Sequence, residues 1–92
     1  MSVMVKITFI DFWAVWCGPC KIMNPIVDEL EKEFAGKVEF EKIDVDKDNE
    51  KSSKFGVMSI PTFIVLKDGQ EVGRKIGAVP KAELTKLIQG AL

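Results

Sequence analysis

The sequence contains no histidine and only two cysteines among its 92 residues. A structural zinc site usually takes four Cys or His ligands, so this composition argues against a zinc protein. The net charge is −1, and the basic residues are scattered among acidic ones rather than gathered in a patch that could bind nucleic acid. We therefore expect no metal, no other cofactor and no nucleic-acid partner.

Long apolar stretches are also missing. No run approaches the ~20 apolar residues that a membrane-spanning helix needs. The N-terminal stretch MSVMVKITFID is interrupted by Lys6, Thr8 and Asp11, which a signal peptide would not contain in its apolar region. We expect a cytoplasmic protein without membrane association. Because cytosolic thiols are kept reduced, two cysteines there favour catalysis over a structural crosslink.

A chain of this length, with 47% hydrophobic residues, is expected to form one domain spanning residues 1–92. Apolar periodicity and turn residues predict strands at 3–15, 38–45, 62–67 and 71–77, helices at 18–35 and 47–56, and a last helix with Pro80 near its first turn. The order β-α-β-α-β-β-α predicts an α/β fold with a mixed four-stranded sheet and helices on both faces. Strands 1 and 2 should be parallel, and strand 1 should be buried on both faces. The Asp68–Gly69 pair predicts a hairpin turn between strands 3 and 4, which should be antiparallel.

The two cysteines stand in the stretch FWAVWCGPCK, where the first strand gives way to the first helix. Amide groups in the first turn of a helix have no internal partner, so a thiolate at Cys17 is stabilised and its pKa should fall below that of free cysteine. Cys20 lies one turn along, close enough for a disulfide. Gly18 and Pro19 allow a tight turn between them. This arrangement favours an attacking thiol at Cys17, the more exposed of the two, and a resolving thiol at Cys20.

The motif WCGPC, preceded by DFWA and followed by Lys21, resembles the active site of the thioredoxin family. The resemblance continues through PIVDEL, IDVD, FGVMSIPTF, KDG and IGA, and so covers nearly the whole chain from residue 3. It implies a thioredoxin-like fold and a protein-disulfide reductase that uses Cys17 and Cys20. It also implies disulfide-containing protein substrates and an electron donor of the thioredoxin-reductase type, since the chain has no nucleotide-binding motif of its own.

Asp11 is a carboxyl group within an otherwise apolar strand. A carboxyl buried without a partner should have a raised pKa, near the range that is useful for proton transfer. The resemblance implies that this acid helps to deprotonate Cys20, directly or through water. It also places Lys42 at the position of a lysine that approaches the acid, although such a lysine could equally be solvated.

The resemblance further implies a surface around the cysteines that holds the substrate, with a cis peptide bond at Ile60–Pro61. There the Ile60 backbone would pair with an extended substrate segment. The residues expected on this surface are Trp16, Gly18, Pro19, Ile60, Pro61, Gly77 and Ala78. Trp16 should be partly exposed.

Two other functions remain open from the sequence, an oxidase or isomerase on the same scaffold and a non-catalytic interaction module. The chain also departs from the family pattern, because the strand and helix that usually precede DFWA are missing. Strand 38–45 should then be an uncovered sheet edge. Either a smaller core suffices, or the chain dimerises there, or the sequence is a shortened form; we expect a monomer or a weak dimer.

Overall fold

The computed structural model describes residues 5–92. The strands are β1 (Ile7–Trp13), β2 (Glu39–Asp44), β3 (Thr62–Lys67) and β4 (Gln70–Ile76), and the helices are α1 (Gly18–Glu33), α2 (Asn49–Lys54) and α3 (Lys81–Gln89). This is the predicted order of elements. Residues 3 and 4, the first two of the predicted strand 3–15, lie outside the described range.

Several elements are shorter than the apolar pattern predicts, because capping and turn contacts end them. Helix α2 was expected from residue 47 but begins at Asn49. The Asp48 side chain accepts a hydrogen bond from the Lys51 N–H and acts as the N-cap. Strand β1 was expected to reach residue 15, but the chain turns earlier, where the Cys17 N–H donates to the Ala14 carbonyl at 3.2 Å.

The four strands form one mixed sheet in the order β2-β1-β3-β4. Strands β1 and β2 are parallel, whereas β3 is antiparallel to both β1 and β4. The predicted parallel pairing is therefore confirmed. The predicted Asp-Gly hairpin between β3 and β4 is confirmed too. Both Asp68 and Gly69 have positive φ, at 52° and 85°, as a two-residue type I′ turn requires.

Helices α1 and α3 pack on one face of the sheet. The largest core cluster joins Phe9 of β1 and Phe63 of β3 to Val27 of α1 and Leu84 of α3. The rings of Phe9 and Phe63 lie 5.8 Å apart. Because successive strand residues alternate between faces, Ile7 and Phe9 of β1 both point into this cluster.

The opposite face of the sheet packs against α2 and the segment after it. Ile10 and Phe12 of β1 lie there with Ile64 of β3, and Phe55 at the end of α2 packs against them. All residues from Ile7 to Phe12 are buried. This confirms the prediction of a first strand covered on both faces, and of helices on both sides of the sheet. Within residues 5–92, no helix is long and apolar enough to cross a membrane.

Strand β2 lies at an edge of the sheet formed by the described residues, as expected from the sequence. The edge carries charged side chains that form ion pairs. Glu39 pairs with Lys6 at 3.2 Å and Glu41 with Lys51 at 2.8 Å. Exposed charges on an edge strand disfavour pairing with a strand of another chain.

We expect Gly36→Ala to destabilise the protein by about 1 kcal/mol, because Gly36 has φ +83°, a conformation that alanine rarely adopts. Urea unfolding of the oxidised protein measures this change. Nothing lies within 4 Å of an added Cβ, so a steric clash does not contribute. Gly36→Asn is the matched control, and its free energy of unfolding should fall by less, because asparagine tolerates this backbone conformation better than alanine does. Equal losses for the two variants would contradict the backbone explanation.

Candidate active site

Cys17 is the N-cap residue of α1. Its backbone is extended, with φ −89° and ψ 108°, and its Sγ accepts a hydrogen bond from the Cys20 N–H at 3.2 Å. Pro19 stands in the first turn, where its missing N–H removes no helical hydrogen bond. The sequence therefore places a sulfur atom at the one end of the helix where backbone amides point outward without partners.

Cys17 and Cys20 form a disulfide, with their Cα atoms 5.3 Å apart. The pairing follows from the helix itself, since residues three apart lie on the same side one turn along. No other cysteine is present in the chain. The structure is thus the oxidised form of a dithiol pair, which confirms the predicted disulfide distance.

Both cysteines are buried, with exposures of 4% for Cys17 and 3% for Cys20. In the oxidised form the two exposures differ by only 1%, so the prediction that Cys17 is the more exposed stays a prediction. They cluster with Ala14, and the partly buried side chains of Val45 and Ile60 pack against the cluster. Because side chains from distant segments cover the helix start, exposure does not distinguish the two sulfurs. Their positions distinguish them instead, because Cys17 is the N-cap of α1 and Cys20 lies within the helix.

Asp11 lies in the middle of β1 with only 3% of its surface exposed. Burial raises the pKa of its carboxyl group from 3.8 to about 6. The Lys42 ammonium lowers this pKa, whereas the Asp28 carboxylate raises it. The structure thus holds a buried acid whose proton equilibrium lies close to neutral pH, as the sequence led us to expect.

Lys42 is the register partner of Asp11 in the neighbouring strand β2. Its Nζ, however, donates a hydrogen bond of 2.9 Å to Asp28 Oδ1 on α1. This hydrogen bond is the main reason that the pKa of Lys42 is raised. The lysine therefore stands beside the buried acid, as expected, but its charge is shared with a second carboxylate.

No motif in the sequence marks Asp28 as a site residue. A charged residue on an amphipathic helix is usually solvated, and Asp28 is indeed exposed. One signal was present, since Cys20, Asn24 and Asp28 are spaced four apart and lie along one side of α1.

Trp16 is 65% exposed beside the redox pair, which confirms the expected partial exposure. Its indole Nε1–H donates to Asp46 Oδ2 at 2.8 Å. Asp46 belongs to a charged segment that the sequence alone indicates only as a solvated loop. Trp16, Asp46, Met58 and Ile60 line an open cleft of about 580 Å³.

The Ile60–Pro61 peptide bond is cis, as the resemblance implies. Pro61 is buried at the start of β3, and its carbonyl accepts a hydrogen bond of 2.8 Å from the Gly77 N–H. Ile60 packs against the cysteine cluster. The fold therefore gathers residues 16–20, 60–61 and 77 at one end of the sheet.

The remaining residues of the expected substrate surface are exposed. Gly18 and Pro19 lie between the cysteines at the helix start. Ala78 follows Gly77 directly after β4. An added Cβ at Gly18 would meet nothing within 4 Å, so the space beside Gly18 is open. The arrangement combines a buried, exchangeable sulfur pair, a buried acid and exposed residues around the helix start.

The chain matches one family model, described as Thioredoxin, over residues 2–90. Thioredoxin of Haemophilus influenzae is 51% identical over 79 residues, which are 86% of this chain and 74% of that protein. Thioredoxin of Staphylococcus saprophyticus is 46% identical over 88 residues, which are 96% of this chain and 85% of that protein.

Solved structures of similar proteins share the fold. The X-ray structure of Fasciola hepatica thioredoxin aligns with a TM-score of 0.88 and 41% identity, covering 95% of this chain and 82% of that chain. The germline-specific thioredoxin Deadhead of Drosophila melanogaster aligns with the same TM-score at 36% identity, again over 95% of this chain and 82% of that chain.

Proposed function

Because the chain belongs to the thioredoxin family and is a thiol–disulfide oxidoreductase, we propose that Cys17 is its attacking thiolate and Cys20 its resolving thiol. One observation carries this assignment: Cys17 is the N-cap of α1, and its Sγ accepts the Cys20 N–H at 3.2 Å. In the reduced protein the same N–H, together with the other free amides of the first turn, favours the thiolate at Cys17. Cys20 lies inside the helix and lacks this stabilisation.

The first step is an attack of the Cys17 thiolate on one sulfur of a substrate disulfide. A bond forms between Cys17 Sγ and that sulfur, while the substrate S–S bond breaks. The second substrate sulfur leaves as a thiolate and takes a proton from water. The product is a mixed disulfide between the substrate and Cys17.

The second step releases the substrate. Cys20 gives its proton to the Asp11 carboxylate, directly or through one water molecule, and its thiolate attacks Cys17 Sγ. The Cys17–Cys20 disulfide forms, the mixed disulfide breaks, and the remaining substrate sulfur leaves as a thiolate. Two electrons have then passed from the protein to the substrate. A proton acceptor with a pKa of about 6 suits this step near neutral pH.

Lys42 is assigned an electrostatic role beside Asp11. The two residues are register partners on adjacent strands, and the Lys42 ammonium lowers the pKa of the Asp11 carboxyl. An ammonium at this position stabilises the carboxylate form that must be present before Cys20 loses its proton.

The substrate is proposed to bind across the cysteines in an extended conformation. Ile60 lies two residues before β3 and outside the strand ladder, while its side chain packs against the cysteine cluster. A substrate segment that pairs with the Ile60 backbone would lie beside Cys17. The indole of exposed Trp16, held by Asp46, forms one wall of this surface, and the backbone at Gly77 and Ala78 forms the other.

Electrons must return to the Cys17–Cys20 disulfide from another protein. We assign this role to a donor of the thioredoxin-reductase type, so the chain carries electrons between that donor and protein disulfides. We also propose that residues 1–92 act as a single domain in the cytoplasm, as a monomer or weak dimer, where the reaction contributes to redox homeostasis. The ion-paired charges on the β2 edge favour the monomer.

Reduction of insulin disulfides by dithiothreitol tests the proposed activity. We expect the wild-type protein to accelerate the reaction at catalytic concentrations, because the dithiol exchanges with protein disulfides and is regenerated by dithiothreitol. The appearance of free insulin B chain, followed by its turbidity, gives the rate. If the protein does not exceed dithiothreitol alone, the reductase assignment is wrong.

A further inference from the structure

A small cleft opens between α1 and β2 next to the buried acid. It has a volume of about 250 Å³ and is lined by Trp13, Asn24, Asp28 and Lys42. Lys42 and Asp28 join across it through the 2.9 Å contact between Nζ and Oδ1. The ion pair is therefore part of the cleft lining, and one of its members, Lys42, is the register partner of Asp11.

The three charged groups share one face of the sheet. Asp11 and Lys42 are register partners in parallel strands, so their side chains point to the same side. Helix α1 packs on this side and brings Asp28 to Lys42. The Lys42 ammonium thus acts electrostatically on two carboxylates, and its hydrogen bond goes to the one on the helix rather than to the one on the neighbouring strand.

We propose that Asp28 is a positioning residue for Asp11: by holding the Lys42 ammonium in the cleft, it keeps this cation from closing on the Asp11 carboxylate. The inference rests on the proposed function in one respect, namely that Asp11 accepts the proton of Cys20. The contact itself is independent of that role.

Two effects of Asp28 act on Asp11 in the same direction. Its negative charge repels the Asp11 carboxylate and raises the pKa of that group, after the larger contribution of burial. It also retains Lys42, which would otherwise approach Asp11 and lower its pKa. Without Asp28, both effects vanish together, and Asp11 becomes a weaker base.

The other elements around Asp11 supply little competing charge. On α1, the Glu31 carboxylate also acts on Lys42, though less than Asp28 does. On the far side, Asp11 is paired with Phe63 of β3, which is uncharged, and Lys75 of β4 lies one strand farther on. The charges that the cleft brings to the acid are therefore those of Lys42 and Asp28.

The same side of α1 leads from the ion pair to the resolving thiol. A second cleft of about 230 Å³ is lined by Cys20 and shares Trp13 and Asn24 with the first. The indole Nε1 of Trp13 is buried and has no hydrogen-bond partner within the described part of the chain. The two clefts therefore adjoin along α1, with the Lys42–Asp28 pair lining the first and Cys20 lining the second.

We expect Asp28→Asn to lower the pH at which Asp11 titrates by roughly 0.5–1 unit. This is less than the shift of about 1–3 units that an opposite charge within 4–6 Å produces, because the ion pair is half exposed and screened. NMR titration of the side-chain carboxyl carbon of Asp11 in the oxidised protein measures it. Glu29→Gln is the matched control, since it removes one negative charge from the next position of α1 and breaks an exposed contact with Lys81. It should leave the titration of Asp11 unchanged.

Lys42→Met distinguishes positioning from direct repulsion. Loss of the ammonium should move the titration of Asp11 to higher pH, opposite to Asp28→Asn. In the Lys42→Met background, Asp28→Asn should shift Asp11 by clearly less than it does in the wild type, because no cation is left to release. An unchanged Asp11 titration in Asp28→Asn, or an equal shift in both backgrounds, would overturn the inference.

The pH profile of insulin reduction separates this inference from the proposed function. If Asp28→Asn moves both the titration of Asp11 and the acidic limb of the rate profile to a new pH, the result supports the positioning role of Asp28 and also the proton-accepting role of Asp11. If it moves the titration but not the rate profile, Asp28 still positions the charge around Asp11, and the proton-accepting role of Asp11 is the part that fails.

Discussion

Replacing Cys17 by serine should abolish disulfide reduction, with a loss of at least about 10⁴-fold in kcat/KM, the scale expected on removing an essential nucleophile. A serine oxygen at the N-cap can still accept the Cys20 N–H, so α1 keeps its cap. It cannot exchange with a disulfide, because the step requires a thiolate that forms and breaks an S–S bond. Insulin reduction measures the loss, and thermal unfolding checks the fold against the reduced wild-type protein.

Cys20→Ser is the matched partner of this variant and should behave differently. The attacking thiolate remains, but nothing resolves the mixed disulfide, so a covalent adduct between Cys17 and the substrate should accumulate. Mass spectrometry of the unreduced mixture detects the adduct. Measurable turnover by Cys17→Ser, or an adduct through Cys20 in that variant, would show that the roles of the two thiols are reversed or shared.

Asp11→Asn should stabilise the oxidised protein by about 3 kcal/mol above pH 7. The carboxyl binds its proton more tightly in the folded chain, where its pKa is about 6, than in the unfolded chain, where it is 3.8. A difference of this size corresponds to about 3 kcal/mol. The protonated acid favours folding fully below pH 4. This contribution is lost as the pH rises through 6, because a buried carboxylate must then form.

Urea unfolding at pH 4 and pH 8 measures this effect. Asparagine resembles the protonated acid in shape, so the variant should match the wild type near pH 4 and gain stability only at higher pH. Glu31→Gln, an exposed substitution on α1, should stay within about 0.5 kcal/mol of the wild type at both pH values. A gain that does not depend on pH would mean that Asp11 is not the group that titrates.

The effect of Asp11 on stability opposes its role in proton transfer. The same burial that costs stability at neutral pH raises the pKa into the range that suits proton transfer. We therefore expect Asp11→Asn to gain stability and to resolve the mixed disulfide more slowly. This exchange of stability for activity is common where a functional group is held in an unfavourable environment.

Most of the fold follows from patterns within short segments. The β-branched and aromatic residues before Cys17 predict a strand buried on both faces, and the burial of Ile7–Phe12 confirms it. The Asp68–Gly69 pair predicts the hairpin because few residues tolerate the positive φ that its turn requires. Where an element begins or ends at a different residue from the predicted one, a capping or turn hydrogen bond sets its boundary. The Asp48 side chain, for example, caps the start of α2.

The sequence by itself determined that two thiols stand at the start of a helix with a buried carboxyl on the preceding strand, because spacing and periodicity are local properties. Only the tertiary structure decided that both sulfurs are buried, that Lys42 pairs with Asp28 across 14 positions, and that Trp16 is held by Asp46 across 30. The contact of Lys42 depends on how α1 packs on the sheet, and that of Trp16 depends on the position of the loop after β2. No local pattern in the chain specifies such packing.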